Sequence, residues 1–175
     1  MAITVLAVNE AWLRSKSLVV LQVINICMTW MHNGVEFNPT LEEIQKNKWI
    51  GFVYIITHLE SGKKYVGQKK LTKKVKRVRK GYSRKITEIR MSDWPNYWGS
   101  SRELQEMVEA DEPEAFKREV LHLCQSKTLL NWLETKEQLI RNVIFDDSYL
   151  NNMVNIRCGG PSAKSLSQFG EICRY

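Results

Sequence analysis

The stretch Gly51–Gly67 constrains this chain more than any other. β-Branched and aromatic residues fill Phe52 to Thr57 and return at Tyr65 and Val66, with Ser61-Gly62 between them as turn chemistry. The pattern predicts two antiparallel strands around a tight turn. With Ser61-Gly62 as a two-residue loop, Glu60 faces Lys63, His58 faces Tyr65, and Tyr54 faces Lys69. Side chains alternate along a strand with period two, so Phe52, Tyr54, His58, Tyr65 and Lys69 share one face. Composition alone makes the two tyrosines half-buried sheet residues. Two phenols and a cation gathered on one face are nevertheless unusual for a packing surface.

Two motifs follow downstream, Tyr97-Trp98-Gly99-Ser100-Ser101 and Leu130-Asn131-Trp132-Leu133-Glu134. Together with the hairpin they resemble the GIY-YIG nuclease family, and within it the phage-encoded, homing-endonuclease-like (Seg-like) branch. Phe52-Val53-Tyr54 stands for the first half of the signature and Tyr65-Val66-Gly67 for the second. Phe52 departs from the glycine that many members carry, with Gly51 just before it. The similarity runs from about Trp30 to Asn155. It implies an α+β fold, a small three-stranded antiparallel sheet flanked by helices. Residues 29–160 would form that domain, with 70–91 as a basic insertion, 1–28 an accessory N-terminal segment and 161–175 a polar tail.

The resemblance also implies chemistry: a metal-dependent DNA endonuclease of homing type that hydrolyses phosphodiester bonds with Mg²⁺ or Mn²⁺. It assigns Tyr54 the role of general base or of positioning the water, and places Tyr65 beside it. It gives the metal to Glu134, with Asn155 in support. Helical geometry argues for Glu137 instead, which lies nearer the centre of the apolar face. The family further uses a cation, on the first helix after Tyr-x-Gly, to clamp the scissile phosphate. Lys69 is placed by the hairpin register; Arg77, Arg84 and Arg90 compete, and Arg84 is the choice among them. A phenol of pKa near 10 is a poor base unless perturbed, and the basic neighbours are expected to lower it.

Charge points the same way. Lys plus Arg total 26 against 19 Asp plus Glu, a net charge of +7, which favours an anionic partner such as DNA. From Gln68 to Arg90 no acid occurs before Glu88. Lys70, Lys73, Lys74, Lys76, Arg77 and Arg79 are the expected nucleic-acid contacts, on a mobile segment that orders on its substrate. Phosphate contacts carry no sequence information, so composition also leaves open an RNA-binding arm or a localisation tract. Two other functions remain in view: a non-catalytic nucleic-acid-binding module, and a structural phage protein that sets the basic arm against an acidic partner.

Cys27, Cys124, Cys158 and Cys173 form no C-x-x-C pair and the three histidines are scattered, so neither a zinc site nor a disulfide framework is expected. A reducing, intracellular compartment fits, the host cytoplasm for a phage protein. The apolar stretch Leu18–Met31 is broken by Gln22, Asn25 and Thr29, short of the roughly 20 residues of a membrane span. Helices are expected over Leu13–Ile26, over Leu41–Lys48 with Thr40 as cap, after Ser100 or Ser101, and over Ser126–Ile144. Strands are expected over Phe116–Leu123 and, as a closing strand, Met153–Ile156. Trp94, Tyr97 and Trp98 could stack on bases, but at least two read as a packed connector; His32 and His122 read as structural.

Overall fold

Asn33 and Gly34 take positive φ angles of 51° and 78° and turn Trp30–His32 (β1) back onto Val35–Glu36 (β2). An Asn-Gly pair is suited to this, because both central residues of such a hairpin turn need that conformation. The computed structural model describes residues 29–78 and 85–154, with 156 and 159. Segment 1–28, the tail 161–175, Arg79, Arg84 and Asn155 therefore lie outside the described residues.

After β2, Leu41–Lys46 forms a helix (α1), started by a capping box in which Thr40 and Glu43 bond each other's backbone N–H at 3.2 and 2.8 Å. The hairpin follows as Gly51–His58 (β3) and Lys64–Lys70 (β4). Its turn is longer than the two-residue loop expected. His58 N–H bonds the Lys63 carbonyl at 2.8 Å, so Tyr54 faces Gly67 rather than Lys69, and Tyr65 faces Ile56 rather than His58. The slip is two residues, and an even slip keeps every side chain on its face. Phe52, Tyr54, Tyr65 and Lys69 still share one side.

The basic stretch is a correction. Thr72–Val78 (β5) and Lys85–Met91 (β6) pair with each other as a two-stranded antiparallel ribbon, from Thr72↔Met91 to Val78↔Lys85. Thr72, Val75 and Val78 on β5 and Ile86, Thr87 and Ile89 on β6 give a sequence dense in cations enough β-branched residues for a strand ladder, in place of the mobile segment expected. The root of the ribbon is tied down by buried Leu71, whose N–H bonds the Ile50 carbonyl at 3.0 Å while its carbonyl accepts from Ser92 N–H at 2.9 Å.

Arg102–Ala110 (α2) is capped by Ser101, and Phe116–Cys124 (β7) joins the sheet beside β3, as expected. The sheet is five-stranded and mixed, in the order β2-β1-β7-β3-β4, not three-stranded and antiparallel. The far edge of β7 is taken up by β1, in parallel, from Trp30↔Arg118 to His32↔Val120. Covering that edge buries Trp30 to 1% exposure and satisfies backbone groups that would otherwise be free.

Lys127–Ile140 (α3) is capped by Ser126 and ends four residues before the expected Ile144. Asn142 takes φ 50°, its N–H bonds the Leu139 carbonyl, and Val143 N–H bonds the Gln138 carbonyl. That pattern closes a helix by a left-handed residue followed by a buried apolar one, here Val143. Ile140 and Ile144, expected in the apolar face, are exposed as a result.

Each face of the sheet packs a separate core. Val53, Val66 and Cys124 meet Leu129, Leu130 and Leu133 of α3 on one side. On the other, Phe52, Tyr54 and Ile56 meet Trp30, Trp94 and Leu104. Trp94 is 1% exposed and Trp98 packs on Phe116 and Arg118, so both are the packed connectors expected. Among the described residues no helix is long and apolar enough to cross a membrane.

Candidate active site

Strand β4 lies at the edge of the sheet, and the chain beyond α3 runs beside it. Lys64 N–H bonds the Ser148 carbonyl and Leu150 N–H bonds the Lys64 carbonyl, both at 2.7 Å. Asn151 then clasps Val66 from both sides, its Oδ1 accepting from Val66 N–H at 2.9 Å and its Nδ2 donating to the Val66 carbonyl at 2.8 Å. No strand forms among the described residues of 153–156; the chain meets β4 earlier, through a single parallel bridge between Tyr149 and Lys64.

Around this edge lies a cavity of ≈ 870 Å³. Tyr54 and Tyr65 enter it from one side of the sheet, and Asn131, Glu134 and Gln138 from α3 on the other. Gln68, Ser100, Arg102 and Lys127 complete much of its wall. The three groups on which the sequence reading depends therefore share one open space.

Their electrostatics differ from the expectation in one respect. Burial pushes the Tyr54 phenol well above its ordinary pKa, and Tyr97 and Tyr65 push it the same way. Burial also raises Tyr65, against a hydrogen bond of 3.0 Å between its hydroxyl and Ser100. Burial outweighs any lowering by the basic neighbours at either phenol, and the cation that the hairpin register supplies, Lys69, is engaged elsewhere. Lys69 Nζ lies 3.0 Å from Asp93 Oδ1 and 3.5 Å above the Tyr97 ring. It does not line the cavity and instead buttresses Tyr97, which packs against Tyr54 at 6.1 Å between ring centroids.

Burial pushes the Glu134 carboxyl up to about 7, with hydrogen bonding from Gln68 acting in the other direction. Glu137, the alternative, is consumed. It is 8% exposed, bonded to His122 Nε2 at 2.6 Å and ion-paired with Arg141. The helical wheel was right that Glu137 faces inward; an inward carboxylate with two partners is a packing group.

Among the remaining expected cations, Arg77 and Arg90 both pair with Glu88 on the ribbon. Lys70 and Lys73 line a smaller neighbouring cavity of ≈ 380 Å³ with Lys69 and Lys127. Lys74 and Lys76 are exposed on β5. Arg84 and Arg79 lie outside the described residues. The cations that do line the main cavity, Arg102 and Lys127, were not singled out from sequence. Arg102 stands at the first turn of the helix that Ser101 caps, and reading Ser100-Ser101 only as capping residues concealed it.

The site's oxygen donors suit a hard divalent cation. One half-buried carboxylate, Glu134, stands beside the side-chain amides of Gln68, Asn131 and Asn151, of which the Asn131 and Asn151 oxygens already accept from Gln68 Nε2 and Val66 N–H. Among the described residues there is no cluster of three His, Cys, Asp or Glu. Mg²⁺ is commonly held by one or two carboxylates, water and substrate phosphate, so a single glutamate fits. A carboxylate made costly by burial gains further from a cation placed against it.

No curated protein and no solved structure matches this chain. A family profile does, described as "Putative endonuclease segE, GIY-YIG domain", over residues 30–154. That match covers well over half of the chain and includes both arms of the hairpin, the Tyr97–Ser101 motif and Glu134, so the protein belongs to the GIY-YIG endonuclease domain family of the SegE type.

Proposed function

We propose that this protein is a metal-dependent DNA endonuclease of homing type that hydrolyses phosphodiester bonds at the cavity around β4. The observation that carries the reading is the convergence of Tyr54, Tyr65 and Glu134 on one open space that Arg102 and Lys127 also line. Glu134 would hold Mg²⁺ or Mn²⁺, with water and the substrate phosphate as further ligands. The bound cation would act as Lewis acid on the phosphate and stabilise the leaving oxygen. Arg102 and Lys127 attract the phosphodiester and offset its charge. Tyr54, whose phenol burial makes harder to ionise in the metal-free protein, orients the attacking water by hydrogen bonding. Tyr65, held by Ser100, presents a second hydroxyl to the water or the phosphate.

Plasmid nicking with and without Mg²⁺ tests this. Cutting should need the metal and be lost in Glu134→Ala and Tyr54→Phe while both variants melt cooperatively and bind DNA. A protein that binds DNA but cuts none, across metals and substrates, overturns the reading. The 1% exposure of Tyr54 favours a second reading, a non-catalytic DNA-binding module, in which Tyr54→Phe changes nothing measurable.

A further inference from the structure

The β5–β6 ribbon has two unlike faces. The register pairs Lys73 with Arg90, Val75 with Glu88 and Arg77 with Ile86, so these six residues share one side. There the charges are partly settled, since Glu88 lies 2.9 Å from Arg90 and 3.6 Å from Arg77. The other side carries Lys74, Lys76 and Lys85 and no acid, interleaved with Val78, Thr87 and Ile89. All six are exposed, Val78 to 61% and Ile89 to 44%. Among the described residues none of these three lysines meets a carboxylate.

An exposed face of lysines and β-branched side chains, free of acid, needs an anionic partner with apolar ground between its charges. Duplex DNA offers that in its major groove, where phosphates form the walls and thymine methyl groups project from the floor. The groove admits a two-stranded ribbon, and strands of seven residues reach on the order of 20 Å. The root of the ribbon is continuous with β4, the strand that carries Tyr65 and Gln68. A-form RNA is a poorer fit, because its major groove is deep and too narrow for side chains to read.

We propose that the β5–β6 ribbon is the DNA-reading arm of this protein, and that it lies in the major groove by its acid-free face. Lys74, Lys76 and Lys85 contact the phosphate walls, while Thr87, Ile89 and Val78 lie against base edges. The proposal rests on the reading of the cavity as a DNA-cleaving site.

The test is binding of the full chain, without metal, to a short mixed-sequence duplex across a salt series. The combined variant Lys74→Gln/Lys76→Gln/Lys85→Gln should bind at least tenfold more weakly, with a log–log salt slope smaller by about 2.5 to 3, since each phosphate contact contributes about 0.9. Lys73→Gln/Arg77→Gln, on the opposite face, should change the affinity by less than threefold. Methylating guanine N7 in the duplex should weaken wild-type binding, whereas netropsin in the minor groove should not. Because these residues are exposed, melting curves should be unchanged. Equal loss from both faces, competition by netropsin, or equal affinity for the matching RNA duplex would each overturn the proposal. Its fate is separable from that of the nuclease reading. Metal-dependent nicking that survives with no dependence on the acid-free face sinks only the ribbon; groove-sensitive binding in a protein that never nicks sinks only the nuclease.

Discussion

Tyr54 and Gly67 face each other across the β3–β4 ladder with no room for a carbon atom between them. A Cβ built on Gly67 would stand 2.5 Å from the Tyr54 hydroxyl oxygen, 2.8 Å from its Cζ and 3.0 Å from Tyr65 Cε1. Gly67 is not among the glycines with positive φ, so space, and not backbone conformation, is what requires glycine there. Both phenols lean over the one position in β4 without a side chain. This gives the Tyr-x-Gly motif a physical content: the glycine makes the bed on which the two rings lie.

Gly67→Ala should therefore displace the Tyr54 ring. Overpacking of this kind costs about 1–3 kcal/mol, which leaves a folded protein with a lower melting temperature. The nicking rate should fall much further than the loss of folded protein explains, because the phenols are the groups that move. Melting and nicking measured on one preparation check this; unaltered nicking would show that the hydroxyl positions are not critical.

Glu134 gives the pH dependence. Its folded-state pKa, about 7, lies above the ordinary 4.5, so the folded protein holds that proton more tightly than the unfolded chain does. Stability from this group is fully present below about pH 4.5 and is lost as pH rises towards 7. Glu134→Gln has nothing to titrate. Its denaturation midpoint relative to wild type should rise across that window and level off above it. A bound cation competes with the proton, so Mg²⁺ affinity should increase roughly tenfold per pH unit below 7 and flatten above. Adding Mg²⁺ at pH 8 should stabilise wild type and leave Glu134→Gln unmoved. A midpoint difference that ignores pH would remove the half-buried carboxylate from the account.

Much of this arrangement was legible in the sequence, and the failures have particular causes. Alternation of Phe52, Tyr54 and Ile56 with Val53 and Ile55 set the face of each tyrosine, and a wrong loop length did not matter because the error was even. Capping residues announced two of the helix starts among the described residues, at Thr40 and Ser101. The sheet was undercounted because β1 is three residues long and pairs with β7, far along the chain, and local pattern carries no trace of such pairing. Net charge hid the ribbon, since Thr72, Val75 and Val78 recur every third residue and lysines stand on both faces, so no period-two alternation marks the strand. The phenol pKa was misjudged because sequence shows how many cations are near but not how deeply Tyr54 is buried. The choice of Glu134 over Glu137 came from motif context, and geometry alone chose the other.

We infer that Lys69 positions Tyr97 and does not touch the phosphate. Its ammonium joins Asp93 and the Tyr97 ring, and Tyr97 supports Tyr54. The ion pair is worth about 1 kcal/mol or less and the cation–π contact about 0.5–2 kcal/mol. Lys69→Met should lower stability by an amount in that range and slow nicking, with no change in the metal concentration required. Asp93→Asn should reproduce part of both effects, and the double variant should cost less than the sum of the singles. If Lys69→Met abolished nicking with full stability while Asp93→Asn was silent, Lys69 would have to touch the phosphate directly.

Arg102 should behave in the opposite way. Its side chain is 92% exposed, and its pairing with Glu106 spans one turn of α2. Such a pair contributes about 0.5 kcal/mol or less, so little holds the guanidinium back from an incoming phosphate. Removing a charge-stabilising donor from a reacting centre costs about 10²–10³ in rate. Arg102→Ala should accordingly melt within a degree or two of wild type and nick at least a hundredfold more slowly. Arg102→Lys should recover only part of the rate, because a lysine offers a point charge in place of the planar two-donor fork. Glu106→Ala, which frees the guanidinium, should leave nicking unchanged or raise it. Nicking by Arg102→Ala at the wild-type rate would return the phosphate to Lys127 or to a cation outside the described residues.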